Sequence, residues 1–275
     1  MNTIRKLTIL NLLAAAVLSC TGVELTPQPI GDSPVPVEVV FSIPDDGPGT
    51  RSSYQALGSS VDDVNLWIVS DGAILHHSYL ESKTTMALVL TAGRNYSFYA
   101  LANMGRDLSG SIGGASDLES LRVRLQDLDL TSPGGSLPMA GTLSGMTLPA
   151  GATPVVIPME RLFSKVSFRF APDADLKDNS VTITSVVLKN AASDMTPFSE
   201  GSYASVCADG DYATAADLQT LASGGQVDFY CMENCCGKTT NTDPWAKLPE
   251  AAPRGKPTYL EVRASVDGFQ MSGAI

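Results

Sequence analysis

Short runs of alternating apolar residues, cut apart by glycine, proline and aspartate, constrain this 275-residue chain more than any other feature. In Val37-Glu-Val-Val-Phe-Ser-Ile43, the residues Val37, Val39, Phe41 and Ile43 stand two apart, and Pro44-Asp-Asp-Gly-Pro-Gly49 follows at once. Side chains of a strand point alternately to its two faces, so period two marks a strand with one buried side. Val64–Val69 with Trp67, Thr85–Leu90 with Met86, Leu88 and Leu90, and Tyr96–Leu101 with Tyr96, Phe98 and Ala100 read the same way. Gly93 lies between the last two and predicts a hairpin there. Val155–Met159, Lys165–Phe170, Ser180–Lys189, Val227–Cys231 and Thr258–Ala264 continue the series, and a phase break near Ser185 predicts a β-bulge. Asp117–Asp129 and Asp211–Ala222 are the helix candidates. Many short strands with few helices predict an all-β chain built of β-sandwiches. Strand-rich cycles on both sides of residue 158 predict two domains, 36–157 and 158–275.

The first residues carry an address. Arg5 and Lys6 precede a mostly apolar run from Leu7 to Leu18, and Val17-Leu-Ser-Cys20 ends it. A basic start, a short apolar core and a small residue before the cut describe an export signal over 1–19, too short for a membrane span. The cysteine directly after Ser19 makes it a bacterial lipoprotein signal, with cleavage between Ser19 and Cys20 and lipid on the Cys20 thiol. Residues 20–35, rich in Pro, Gly and polar types, read as a tether between lipid and fold. The signal leads to the expectation of an exported lipoprotein. The formal charge of −11 becomes −13 once Arg5 and Lys6 leave with the signal. An acidic surface of that size disfavours nucleic acid as a partner.

Four further cysteines remain: Cys207, Cys231, Cys235 and Cys236. An oxidising compartment permits a disulfide, for example from Cys207 to the Cys231–Cys236 cluster, but spacing alone assigns no pairing. Cys-x3-Cys-Cys lacks the paired Cys-x2-Cys knuckles of a zinc site, so no metal is expected. His76 and His77 are the only histidines. Adjacent strand residues face opposite ways, so at most one serves a given site, and a structural role is the expectation for both. Gly-x-Ser-x-Gly, His-Glu-x-x-His and a phosphate-cradling Gly-Lys-Ser/Thr are all missing from the sequence. The acidic pairs form no spaced calcium loop. The reading is a non-enzyme without a cofactor.

Five segments, taken in order, resemble the fimbrillin family, the lipoprotein-derived type V pilins of Bacteroidales. Tyr96-Ser-Phe-Tyr-Ala-Leu-Ala-Asn103-Met-Gly105 resembles that family's Tyr-x-Phe-Tyr-Ala-x-Ala-Asn-x-Gly strand, and Leu137-Pro-Met-Ala-Gly141 its Pro-Met-x-Gly turn. Arg161-Leu-Phe-Ser-Lys165-Val166 resembles the Arg-x-x-Ala-Lys-Val lead into the second domain, with Ser164 at the usual alanine. Phe229-Tyr-Cys-Met-Glu-Asn234-Cys-Cys-Gly237 resembles Tyr-x-x-Glu-Asn-x-x-Gly, and Pro257-Thr-Tyr-Leu-Glu-Val262 the Thr-Tyr-Ile-Glu-Val strand.

The resemblance implies two transthyretin-like β-sandwiches and a structural or adhesive subunit of a cell-surface fimbria, assembled by donor-strand exchange after lipoprotein export. Its partners are other fimbrial subunits and, at least transiently, the outer membrane. An Arg-specific protease cuts such precursors near the first strand. Arg51 is the fitting position, with cleavage before Ser52, and Arg94 between strands fits less well. Val37, Val39, Phe41 and Ile43 then form a placeholder strand whose removal opens a groove for a neighbour's strand. Family members continue beyond the Thr-Tyr-Leu-Glu-Val strand, so the second sandwich is expected to be truncated at its C-terminus, with Leu260 and Val262 at an unpaired edge. A surface lipoprotein binding a ligand or glycan is the alternative. It needs an exposed aromatic platform, for which Trp67, Trp245 and Tyr259 are the candidates, although Trp67 in an apolar strand reads as core.

Overall fold

The computed structural model describes residues 33–43, 61–124, 136–151, 153–171, 180–199, 207–208, 212–234, 236 and 256–274. Among these the fold is almost entirely β. The first half contains β1 (Pro34–Ser42), β2 (Asp63–Ser70), β3 (Ala73–Glu81), β4 (Thr85–Thr91), β5 (Asn95–Ala102), helix α1 (Ala115–Ser120), β6 (Val123–Arg124), β7 (Met139–Thr147) and β8 (Thr153–Pro158). Then follow β9 (Glu160–Arg161), β10 (Phe163–Arg169), β11 (Val181–Lys189), β12 (Ala191–Ala192), β13 (Asp194–Met195) and β14 (Cys207–Ala208). Helix α2 (Ala215–Ala222), β15 (Gln226–Met232), β16 (Tyr259–Val266) and β17 (Phe269–Ala274) complete the described order.

Two sheets share the first core. An antiparallel five-stranded sheet runs β3-β2-β5-β7-β9, and a three-stranded sheet runs β4-β1-β8. Val64, Leu66 and Ile68 of β2 and Tyr96, Phe98 and Ala100 of β5 meet Val37, Val39 and Phe41 of β1 in one cluster with Val155 and Ile157. This is face-to-face sheet packing, with alternate residues of each inner face interdigitating. Each large side chain fully withdrawn from water contributes about 1.5–3 kcal/mol.

The opposite face of β2 is buried as well. Trp67 and Val69 join Leu101, Leu118, Val123, Phe163, Met195 and Met232 in a second cluster. Because both its faces are covered, all eight residues of β2 are buried. This cluster ties early chain to late chain. Val123 pairs with Met195 between β6 and β13, and the Phe198 ring meets Tyr99 and Trp67 edge to face at 5.2 and 6.3 Å. A third cluster gathers Ile183, Val186 and Leu188 of β11, Leu260 of β16, and Val227 and Phe229 of β15, capped by Leu221 of α2. It lies among the sheets β11-β16-β17 and β10-β15.

Several expectations are corrected here. β4 and β5 do not form a hairpin: they belong to different sheets, and the chain crosses between them at Gly93. Gly93 adopts φ +76° and donates to Leu148 O at 2.8 Å, which turns the chain away from its own sheet. The hairpin is instead β2–β3, around Asp71 and Gly72, both at positive φ. The helix expected over Asp117–Asp129 stops at Ser120, because Leu121 turns to an extended ψ and Val123 enters a strand pair. Within Asp211–Ala222 the helix starts only at Ala215. Thr214 caps it and Asp217 bonds back to the Thr214 N–H at 2.8 Å, the reciprocal arrangement of a capping box. β1 begins at Pro34, inside the stretch read as tether. Leu260 and Val262 are not at an open edge, since β16 is flanked by β11 and β17. The expected break near Ser185 is present as a register shift between Ile183 and Ser185.

Candidate functional site

The recurring motifs turn out to be joints. Asn103 at φ +63° accepts the Asp62 N–H at 2.8 Å and donates to Leu137 O at 2.8 Å. The neighbouring Asp63 carboxylate, nearly buried, accepts the N–H groups of Met104 and Gly105 at 3.1 and 2.8 Å. Burial pushes its pKa up while these two bonds pull it back. Gly141 lies so close to the end of β8 that a Cβ would collide with Pro158 O and come within 2.8 Å of Ile157 and Met159. Asn234 donates to Lys256 O at 2.8 Å, and Thr258 to Asn190 O at 2.9 Å, which fixes the approach to β16.

The feature with most functional content is the setting of β1. It is the central strand of its sheet, antiparallel to β4 over Pro34–Val40 and parallel to β8 over Val37–Ser42. Val35, Val37, Val39 and Phe41 are at most 4% exposed, and Ile43 packs partly against the same core. The ends differ. Ala92 donates to Ser33 O at 2.8 Å and Phe41 donates to Thr84 O at 2.9 Å, so odd-numbered residues turn their main chain to β4. Met159 donates to Ser42 O at 2.8 Å, so even-numbered residues turn theirs to β8. Pro34 and Pro36 therefore face the β8 side without an N–H to offer. By the same alternation Pro154 and Pro158 of β8 face the outer margin of the sheet and remove donors from it. Proline on an edge strand is a common guard against unwanted strand pairing.

Of the residues singled out in sequence, Val37, Val39 and Phe41 are brought together in the core, and Ile43 lies beside them. Ser19, Cys20, Arg51, Ser52, Cys235 and Trp245 lie outside the described residues. Cys231 and Cys236 are thiols. Burial pushes the Cys231 thiol up, which makes it a poor nucleophile, and the Cys236 Sγ donates to Asn234 Oδ1 at 3.3 Å. The side chain of Cys207 is outside the described set, so the expected disulfide falls there too. His76 meets Ser78 Oγ at 2.7 Å. His77 lies against the Trp67 ring at 5.1 Å, with its Nε2 buried and 3.8 Å from Asp107 Oδ1. Among the described residues no three His, Cys, Asp or Glu side chains are grouped to hold a metal ion, and no helix is long and apolar enough to cross a membrane. A groove of about 710 Å³ runs past Thr142 and Ser144 of β7 to Phe163 and Phe198.

Sequence reasoning missed the parallel partner β8 and its edge prolines. The Val155–Met159 segment was legible as a strand, but no local signal told which strand it would join.

No protein-family model matches the chain, and no curated protein matches it in sequence. Solved structures do. A candidate cell adhesion protein of Parabacteroides distasonis aligns over 90% of this chain and 80% of its own, with a TM-score of 0.60 at 15% identity. The tip fimbrial protein Mfa3 of Porphyromonas gingivalis, with a C-terminal truncation, aligns over 89% and 81%, with a TM-score of 0.56 at 14% identity. A fimbrilin of Porphyromonas gingivalis aligns over 86% and 72%, with a TM-score of 0.55 at 12% identity. At these identities the likeness is one of fold: the chain is structurally similar to several fimbrial and adhesion proteins of Bacteroidales.

Proposed function

We propose that this chain is a structural or adhesive subunit of a surface fimbria, made of two transthyretin-like β-sandwiches and assembled by donor-strand exchange after export as a lipoprotein. One observation carries the reading. β1 is a central strand with four alternate side chains sunk in the core, yet in sequence it stands between the expected lipid attachment at Cys20 and the expected cleavage site at Arg51. A strand so placed can be parted from the rest of the chain by one cut. Its loss leaves unpaired main chain on β4 and β8 beside a row of apolar pockets, which a strand from a neighbouring subunit satisfies.

Fold likeness to fimbrial proteins supports the same reading without assigning a stalk, tip or anchor role. The glycan-binding alternative loses Trp67, which is 1% exposed and packed between chain halves. The test treats the purified precursor with an Arg-specific protease, sequences the new N-terminus and follows polymer formation by heat-resistant ladders. The reading expects Ser52 as the new first residue, with polymers only after the cut. Resistance at Arg51, or cutting that never yields polymers, rules out assembly by this route.

A further inference from the structure

The manner in which β1 is held says how it leaves, an inference that rests on the strand-exchange reading above. We infer that a cut between β1 and β2 does not release β1, which stays seated as a noncovalent plug, and that an incoming strand displaces it from the Pro34 end.

The first half of the inference follows from where the contacts are. Over Val37–Val40 the strand is bonded on both sides, to β4 and to β8. Val35, Val37, Val39 and Phe41 fill pockets of the core formed with Val64, Leu66, Ile68 and Phe98. All of these contacts join residues outside 44–60, so a cut in that segment removes the covalent linkage while each of them stays in place. The cut strand thus keeps the groove covered until something replaces it, and an open edge with its hazard of indiscriminate pairing does not arise. Cutting licenses exchange, while the arrival of a matching strand completes it.

The second half follows from the asymmetry of the ends. Among the described residues, Ser33 to Pro36 pair with β4 alone, and the ladder with β8 is described from Val37 onward. Pro34 and Pro36 turn toward β8 and carry no N–H. At the other end Phe41 bonds to Thr84, Ser42 accepts from Met159, and the largest side chain of the strand is buried. Peeling from Pro34 breaks one ladder at first, whereas peeling from Phe41 breaks both and uncovers an aromatic ring. The edge prolines Pro154 and Pro158 oppose pairing on the far side of β8. The partner is an extended segment with apolar residues at every second position.

The experiment cuts the full chain within 44–60, either at Arg51 or at a sequence-specific protease site inserted after Gly49. Native mass spectrometry and gel filtration then ask whether the two pieces travel together. They are expected to co-elute for hours without competitor. Separation on cutting overturns the plug. Exchange is next followed by fluorescence polarisation, with excess labelled peptide of the Ser33–Ile43 sequence. A resident strand carrying Val35→Ala, which empties the core pocket nearest the Pro34 end, is expected to exchange about tenfold faster. The outward-facing Glu38→Gln variant is the control and keeps the parent rate. Equal rates for Val35→Ala and the parent overturn displacement from the Pro34 end. If the pieces stay together and no peptide ever displaces β1, the plug stands, and both displacement and the strand-exchange reading fall.

Discussion

Val39 of β1 and Val155 of β8 lie side by side in parallel register, 0% and 1% exposed, although most of the first half of the chain separates them. Their contact closes the sheet that covers the first core, and it makes the stability of that core depend on a strand expected to be removable. Val39→Ala is expected to cost about 2 kcal/mol through lost burial and the cavity left behind. Glu38→Ala, exposed on the outer face, is expected to stay within about 0.5 kcal/mol. Urea unfolding of the uncut chain, read as a shift in midpoint, checks both.

Gly141 of β7 is a close crossing between the two sheets. Its missing Cβ makes room for Pro158 O, and Ile157 and Met159 stand 2.8 Å from where that atom would be. Gly141→Ala is expected to destabilise by about 1–3 kcal/mol because backbone must move. Gly110→Ala, with nothing within 4 Å of the new atom, is the neutral comparison. Thermal unfolding of the two variants side by side decides.

Asp228 ties β15 to β10. Lys165 Nζ stands 2.7 Å from Oδ2, while Ser167 Oγ and Gln226 Nε2 each donate to Oδ1 at 2.9 Å. Burial works to raise the carboxyl pKa, but these donors and the lysine charge outweigh it and hold the group below its ordinary 3.8. The folded chain therefore gives up this charge at a lower pH than the unfolded chain does. The resulting stability is present above 3.8 and is lost as pH falls through the lower folded value. Asp228→Asn is expected to cost about 1 kcal/mol at pH 7, the range of a partly exposed pair, and nothing in strong acid. Urea midpoints at pH 7 and pH 2.5 test this.

His77 has the opposite relation to acid. Burial against Trp67 lowers its pKa below 6.5, with Asp107 pulling upward and His76 adding to the depression. The unfolded chain takes up this proton near 6.5 and the folded chain only at lower pH, so stability is lost as pH falls below 6.5. His77→Gln is expected to flatten the stability profile between pH 7 and pH 5. Trp67 fluorescence, which the ring 5.1 Å away perturbs, is expected to lose its titration in the same variant.

Phe269 and Met271 of β17 are 77% and 59% exposed on a strand whose six residues all face solvent. An uncharged apolar edge of this kind promotes association. Phe269→Ser with Met271→Ser is expected to leave stability within about 0.5 kcal/mol and to lower self-association, measured by sedimentation velocity over a concentration series.

Alternation in Val37–Phe41, Tyr96–Ala100 and Val227–Phe229 was readable because one buried face writes itself into neighbouring residues. Trp67 was readable as core for the same reason. The Gly93 turn was misread, since a glycine at positive φ serves a hairpin and a crossing between sheets equally well, and only packing chooses. The length of α1 was misread because Val123 answers to Met195, far along the chain. β17 was overlooked although Asp267-Gly268 and the alternating Phe269 and Met271 announce a hairpin.

The sequence by itself determined that this protein is built of short strands, which face of each is buried, and that its first residues read as an export signal with a cysteine for lipid. Those properties are local: a dipeptide rhythm, a turn residue, a charged start before an apolar run. The tertiary structure alone decided that β1 sits between β4 and β8, that its Pro34 end is held on one side, and that its Phe41 end is held on both. Strand partners are chosen by the fit of distant surfaces and by the pairing of main-chain groups that every residue carries alike, and neither leaves a mark on the local order of side chains.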